Sequence, residues 1–117
     1  MGETFAEVTL RANGKEMKKR ILVDTGSTFT WLHSDTLRKL GLKPVDKDEF
    51  ETIEGRIVER GLCELEIECI DRKTSTWVIF GRRKDSEVLG LHALEGLRVE
   101  VDPVRRKIRK LKAIKSL

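Results

Sequence analysis

Asp24-Thr25-Gly26-Ser27 places a carboxylate directly after the apolar run Ile21-Leu22-Val23. A side chain at that point leaves a core strand and enters a tight turn. Gly26 supplies the permissive backbone, and Thr25 and Ser27 supply hydroxyls for local hydrogen bonds. A carboxylate held in such a turn can take a proton from a water or return one to a substrate. The tetrapeptide alone also describes an ordinary turn closing a hairpin, so its meaning rests on its surroundings. Other chemistries find less support. His33 and His92 are far apart and lack a Cys or carboxylate neighbour at catalytic spacing, so both read as surface or helix-end residues. There is no Cys-x-x-Cys, and neither a metal site nor a cofactor is expected. Cys63 and Cys69 fall on one face of an alternating segment, separated by roughly 20 Å of strand, too far to pair. They read as buried thiols of a reducing compartment.

The elements that must position Asp24 can be read from alternation and turn chemistry. Thr4 to Leu10 alternates, Asn13-Gly14 is a two-residue hairpin signal, and Met17 to Val23 returns as a strand whose last three residues read as buried on both faces. An extended piece through Phe29, Trp31 and Leu32 leads to Ser34, placed to cap a helix containing Leu37 and Leu40 that Gly41 stops. Phe50 to Arg60 reads as a hairpin around Glu54-Gly55. Strands are expected at Leu62 to Ile70 and Thr74 to Phe80, joined by a polar turn at Asp71-Arg72-Lys73. A charged loop from Gly81 to Glu87 then enters Val88-Leu89-Gly90. A single helical turn at His92 to Glu95, a stop at Gly96 and a strand from Leu97 to Val101 follow. Val104 to Leu111 is a last strand or the start of a basic helix. Many short strands with one or two short helices predict a mainly β, mostly antiparallel barrel or sandwich, and a parallel βαβ fold fits poorly.

The chain has 117 residues, enough for one domain that buries roughly 65% of its extended surface but not for a deep cleft between two lobes. A sizeable substrate groove must then be shared with a partner. No apolar run nears the ~20 residues a bilayer span needs, and the acidic start predicts no signal peptide, so a cytoplasmic protein with no membrane association is expected. The net charge of +4 is uneven: residues 98 to 117 carry eight basic residues against Glu100 and Asp102, a net +6, leaving −2 for the rest. The basic character belongs to the tail.

With these elements in place, the chain resembles the retropepsin-like aspartic proteases, the single-domain relatives of pepsin and the retroviral proteases. The resemblance rests on Ile21-Leu22-Val23-Asp24-Thr25-Gly26-Ser27-Thr28-Phe29 and on Val88-Leu89-Gly90, the apolar-apolar-Gly strand that passes under the catalytic loop and precedes a short helix. Leu91 to Pro103 resembles the ending of microbial members. The resemblance implies a closed β-barrel over residues 1–111, a basic tail over 112–117, and a homodimer in which Asp24 of each subunit meets its mate. It assigns Asp24 the catalytic role, Thr25 a hydrogen bond across the dimer, Gly26 amides beside the carboxylates, and Ser27 a donor to Asp24. Ile53, Glu54, Gly55, Arg56 and Ile57 fall at the flap that covers an extended peptide or unfolded protein substrate. The flap departs from the family in its single glycine and many charges, and the chain has no Tyr. Trp31 and Trp77 read as core packing before subsite lining.

The implied activity is an aspartic endopeptidase. A catalytically weak or inactive dimerisation and peptide-binding module is the alternative, motivated by the flap. Nucleic-acid binding by the tail is disfavoured: the tail has no aromatic for base stacking, and Ile108, Leu111, Ile114 and Leu117 recur every three residues, as in a segment packed on the body or the dimer partner.

Overall fold

The computed structural model describes residues 2–113; Ile114 and Leu117 of the tail's apolar stripe lie outside the described residues. In β1 (Phe5–Ala12) the alternation holds, with Ala6, Val8 and Leu10 buried. Asn13 and Gly14 take φ of 55° and 73°, the two-residue turn whose twist matches that of the flanking strands. β2 (Lys15–Val23) then pairs antiparallel with β1 from Ala12↔Lys15 to Phe5↔Leu22. Only Ile21 of the apolar run is fully buried; Leu22 is half-buried, because neighbouring strand residues point to opposite faces.

β3 (Thr30–His33) leads directly into α1 (Ser34–Lys39). Ser34 does not cap this helix. His33 holds the N-cap backbone, and the Ser34 hydroxyl donates instead to the Gly81 carbonyl at 3.1 Å. The stop at Gly41 is as expected: its φ is +76°, and the Leu42 and Gly41 amides reach back to the Leu37 and Arg38 carbonyls. β4 (Asp46–Glu51) and the start of β5 (Ile57–Cys69) form the predicted hairpin, with Glu51↔Ile57 the last pair.

The long β5 continues into pairing with β6 (Arg72–Gly81). Their turn is tighter than expected, since Cys69↔Arg72 pair and only Ile70 and Asp71 lie between, at φ of 42° and 66°. Cys63, Leu65, Ile67 and Cys69 point inward; burial pushes both thiols up to about 11, and neither is bonded to the other. Trp77 is not core: it stands opposite Glu64 on the outer face, 38% exposed, while Thr76 and Val78 beside it point inward.

β7 (Val88–Leu89) is only two residues long, yet it pairs parallel with β2 and antiparallel with β3. α2 (Leu91–Leu97) runs through Gly96 rather than ending there; a Cβ at Gly96 would lie 2.2 Å from the Thr74 hydroxyl, so the glycine lets the helix settle on β6. The basic segment is a strand: β9 (Lys107–Lys110) pairs with β8 (Val99–Asp102), and Ile108 packs on the core. Amides of Arg105 and Val104 bond to Asp102 in the turn and hold its carboxyl below the usual carboxylate range.

The main sheet runs β1-β2-β7-β3-β6-β5-β4, and β5 pairs back on β1 through Thr9↔Glu68, Leu10↔Ile67 and Arg11↔Glu66. The sheet therefore forms a ring, mainly antiparallel with parallel pairs at β2–β7 and β3–β6, and β4 extends from it as one arm of the hairpin read above as a flap. Arg11 pairs with Glu16, Glu66 and Glu68 where the ring closes. Leu10, Leu32, Leu65, Ile67, Val78 and Leu89 fill the interior.

Ile70 is a β-branched residue held at positive φ, a conformation that costs most residues about 1–2 kcal/mol and Asn less. Ile70→Asn should stabilise the protein by about 0.5 kcal/mol after the loss of its partial burial, seen as a higher midpoint in denaturant unfolding.

Candidate active site

Asp24 lies at the end of β2, half-buried, between a core strand and solvent. Three backbone contacts fix it. Its own amide donates to the Leu89 carbonyl at 3.0 Å, and the Ser27 amide donates to its carbonyl at 3.1 Å, closing the turn. The Gly26 amide donates to the carboxylate Oδ1 at 3.0 Å, as expected for an Asp turn. One carboxylate oxygen is thus pinned by the backbone. The Ser27 hydroxyl does not reach Asp24; it donates to the Phe29 carbonyl at 2.7 Å, two residues along, a local bond that the turn brings within easier reach. Thr25 and Gly26 are exposed at the surface.

Beneath the turn, Val88, Leu89 and Gly90 occupy the place predicted for them. The Gly90 amide donates to the buried Thr30 hydroxyl, and the Leu91 and His92 amides at the start of α2 donate to the Ser27 and Thr28 carbonyls. The turn is therefore bonded along its length to a strand and a helix start. His92 stands at that helix start, exposed, its ring edge-on to Phe29.

The flap tip is built as a short turn with Gly55 at φ +82°, closed by the Gly55 amide to the Thr52 carbonyl and the Thr52 amide to the Arg56 carbonyl. Ile53 is fully exposed and Ile57 is 59% exposed, while Glu54 and Arg56 face each other at 3.8 Å. The tip's hydrogen bonds among the described residues are internal to it. The base of the flap does meet the Asp24 loop: Phe50 packs edge-on against Phe29 and Trp31, at 5.8 and 5.9 Å between ring centres. Trp31 is thus half-buried against Phe50 rather than part of the buried core cluster.

Sequence reasoning passed over four residues that hold this arrangement. Arg60, 6% exposed, pairs with Asp85 at 3.0 Å. Glu87 accepts from the His33 amide at 2.9 Å, from Lys19 at 2.6 Å and from the Thr36 hydroxyl at 3.2 Å. Burial pushes both carboxyls upward, but the Arg60 guanidinium and Arg82 amide outweigh it at Asp85. Lys19 and the His33 amide do so at Glu87, so both sit below their ordinary values. One signal was available. Val58, Arg60 and Leu62 share a strand face, and an arginine on an apolar face must find a carboxylate.

Gly90 approaches other backbone most closely: a Cβ there would lie 2.3 Å from the Phe29 oxygen and 2.9 Å from the Ser27 oxygen. Neither atom can swing aside as a side chain would. Gly90→Ala should cost at least about 2 kcal/mol of stability, measured by denaturant unfolding, and should disorder the Asp24 turn. An unchanged midpoint would contradict this packing.

A family model described as aspartyl protease matches residues 8–69, a stretch that contains most of β1, all of β2, the Asp24 turn and the hairpin of β4 and β5. No curated protein matches the chain. The match spans more than half of the sequence and includes the Asp24 turn, so the chain belongs to an aspartyl protease family of the retropepsin-like clan.

Proposed function

We propose that the protein is a homodimeric aspartic endopeptidase acting on extended peptide or unfolded protein segments. The carrying observation is the Asp24 carboxylate, half-buried at a strand end and held through Oδ1 by the Gly26 amide, with its turn braced by Leu89 and α2. Hydrolysis by this chemistry uses two carboxylates about one hydrogen bond apart that share a proton. One activates water while the other protonates the substrate carbonyl. Each chain offers one Asp-Thr-Gly, so the second carboxylate comes from a second copy across a two-fold axis. In this reading the exposed Thr25 bonds across the dimer, and the flap from Phe50 to Arg60 closes over the substrate. Ile53, Glu54, Gly55, Arg56 and Ile57 at its tip contact that substrate. The two unpaired thiols suit a reducing, cytoplasmic setting, and no described helix is long and apolar enough to cross a membrane.

A second reading, a dimerising peptide-binding module without turnover, is favoured by one feature. Glu49 and Glu59 stand directly opposite each other across the flap strands, a like-charge pair that weakens the hairpin.

Turnover of unfolded casein separates the two. Asp24→Asn keeps the shape of the turn and should lower hydrolysis at least ~10²-fold without loss of folding. Mixed with freely exchanging wild-type subunits in equal amounts, it should leave about a quarter of the activity, since random pairing gives that share of doubly wild-type dimers. Retention of half, with exchange demonstrated by mass spectrometry, would mean each chain works alone.

The pH range follows from two opposed demands. A close carboxylate pair works singly protonated, which places activity on the acidic side of neutrality. Asp85 and Glu87 have folded-state values lowered by their partners. Their contribution to stability is thus present above the unfolded carboxylate range and is lost as pH falls through the folded values. The thermal midpoint should be level above about pH 5 and decline below about pH 4, closing the activity range from the acid side.

A further inference from the structure

Arg60 is a fully charged side chain placed almost out of reach of water, at the foot of the flap, where a leucine would fit the strand pattern. Its guanidinium grips Asp85 with two prongs, Nε to Oδ2 at 3.0 Å and Nη2 to Oδ1 at 3.4 Å, and its Nη1 donates to the Glu59 carbonyl at 2.9 Å. Asp85 Oδ2 also accepts from the Arg82 amide at 2.8 Å, so among the described residues its carboxylate is bonded to one loop and one strand. In register, Arg60 stands opposite Asp48, an exposed carboxylate on β4, yet it turns inward to Asp85. A buried ion pair adds little net stability over an apolar pair of the same size, so stability alone does not account for it. What it does specify is geometry, because a planar fork meets a carboxylate in one orientation.

That geometry joins two parts of the site. Asp85 lies four residues before Leu89, whose carbonyl accepts the Asp24 amide. Between them Glu87 ties the same loop to the His33 amide, Lys19 and Thr36, so the loop is held at both points. The geometry points to Arg60 and Asp85 as positioning residues: their ion pair clamps the base of the flap to the loop that carries β7 beneath Asp24. The flap then swings from a foot fixed relative to the carboxylate, and its open and closed positions are both referred to Asp24. The inference deepens the protease reading and rests on it for its effect on substrate.

The test compares wild type with Arg60→Met/Asp85→Leu, which removes both charges while keeping bulk, and with Arg60→Lys, which keeps the charge and loses the fork. Amide hydrogen exchange is followed in the flap, residues 50–58, and in the β1–β2 hairpin. Turnover of unfolded casein, and binding of a peptide carrying a hydroxyl in place of the scissile carbonyl, are measured on the same samples. In the double variant the flap amides should exchange about tenfold faster or more with the β1–β2 amides unchanged, since a local opening is released without global unfolding. The peptide should bind about tenfold more weakly, with KM raised more than kcat is lowered, and Arg60→Lys should fall between. Flap exchange equal to wild type, or exchange raised alike in both hairpins, would overturn the clamp. Wild-type protein that neither cleaves casein nor binds the peptide would overturn the protease reading, while the exchange pattern, which needs no substrate, decides the clamp by itself.

Discussion

The close pass of one backbone over another at Gly90 is the constraint on which the rest of the structure depends. There the chain comes so near the Phe29 and Ser27 carbonyls that no side chain fits, and the amides on either side of this crossing bond to Thr30, Ser27 and Thr28. The two-residue β7 just before it is flanked by β2 on one side and β3 on the other, so it completes the ring where those strands would otherwise part. The same strand supplies the carbonyl that fixes Asp24. Closure of the fold and placement of the carboxylate are therefore one event, and the turn cannot loosen without opening the ring.

Much of this was legible in the sequence because it depends on neighbours. Asn13-Gly14 dictates a hairpin whatever surrounds it, since both residues tolerate the positive φ that the turn requires. Gly41 ends α1 for the same local reason, and alternation placed Cys63, Leu65, Ile67 and Cys69 on the inner face. Asp24, Gly26 and the underlying Val88-Leu89-Gly90 were likewise found from local pattern and order.

Most of what escaped depends on contacts between distant residues, the Ser27 hydroxyl being a local exception. Ser34 has the composition of a cap, but its hydroxyl is drawn to Gly81, a partner that only the β3–β6 pairing brings near. Gly96 reads as a stop, whereas its small size serves packing against Thr74. Ile70 has no turn propensity, and its left-handed backbone is imposed by the register of the two long strands on either side. Ser27 was expected to serve Asp24, yet a carbonyl two residues away captured it. Arg60 and Asp85 stand 25 positions apart, and nothing but the fold could pair them.

The hairpin from Phe50 to Arg60 differs between its base and its tip. Its base is anchored by the Phe50 contacts and by Arg60, but its tip carries a fully exposed Ile53 and a largely exposed Ile57. Leaving such side chains in water forgoes roughly 1.5–3 kcal/mol each of the stabilisation that burial would bring. Neither isoleucine belongs to the hydrophobic interior of the ring. In the proposed enzyme these apolar groups would be covered by substrate. The Asp24 carboxylate is held on one side by the Gly26 amide, and the chemistry proposed for it would need a second acid. On the proposed reading, tip and turn would be completed together, one by apolar cover and the other by a proton-sharing partner. In the proposed homodimer, a substrate lying between two copies related by a two-fold axis would supply the cover, and the second copy would supply the acid.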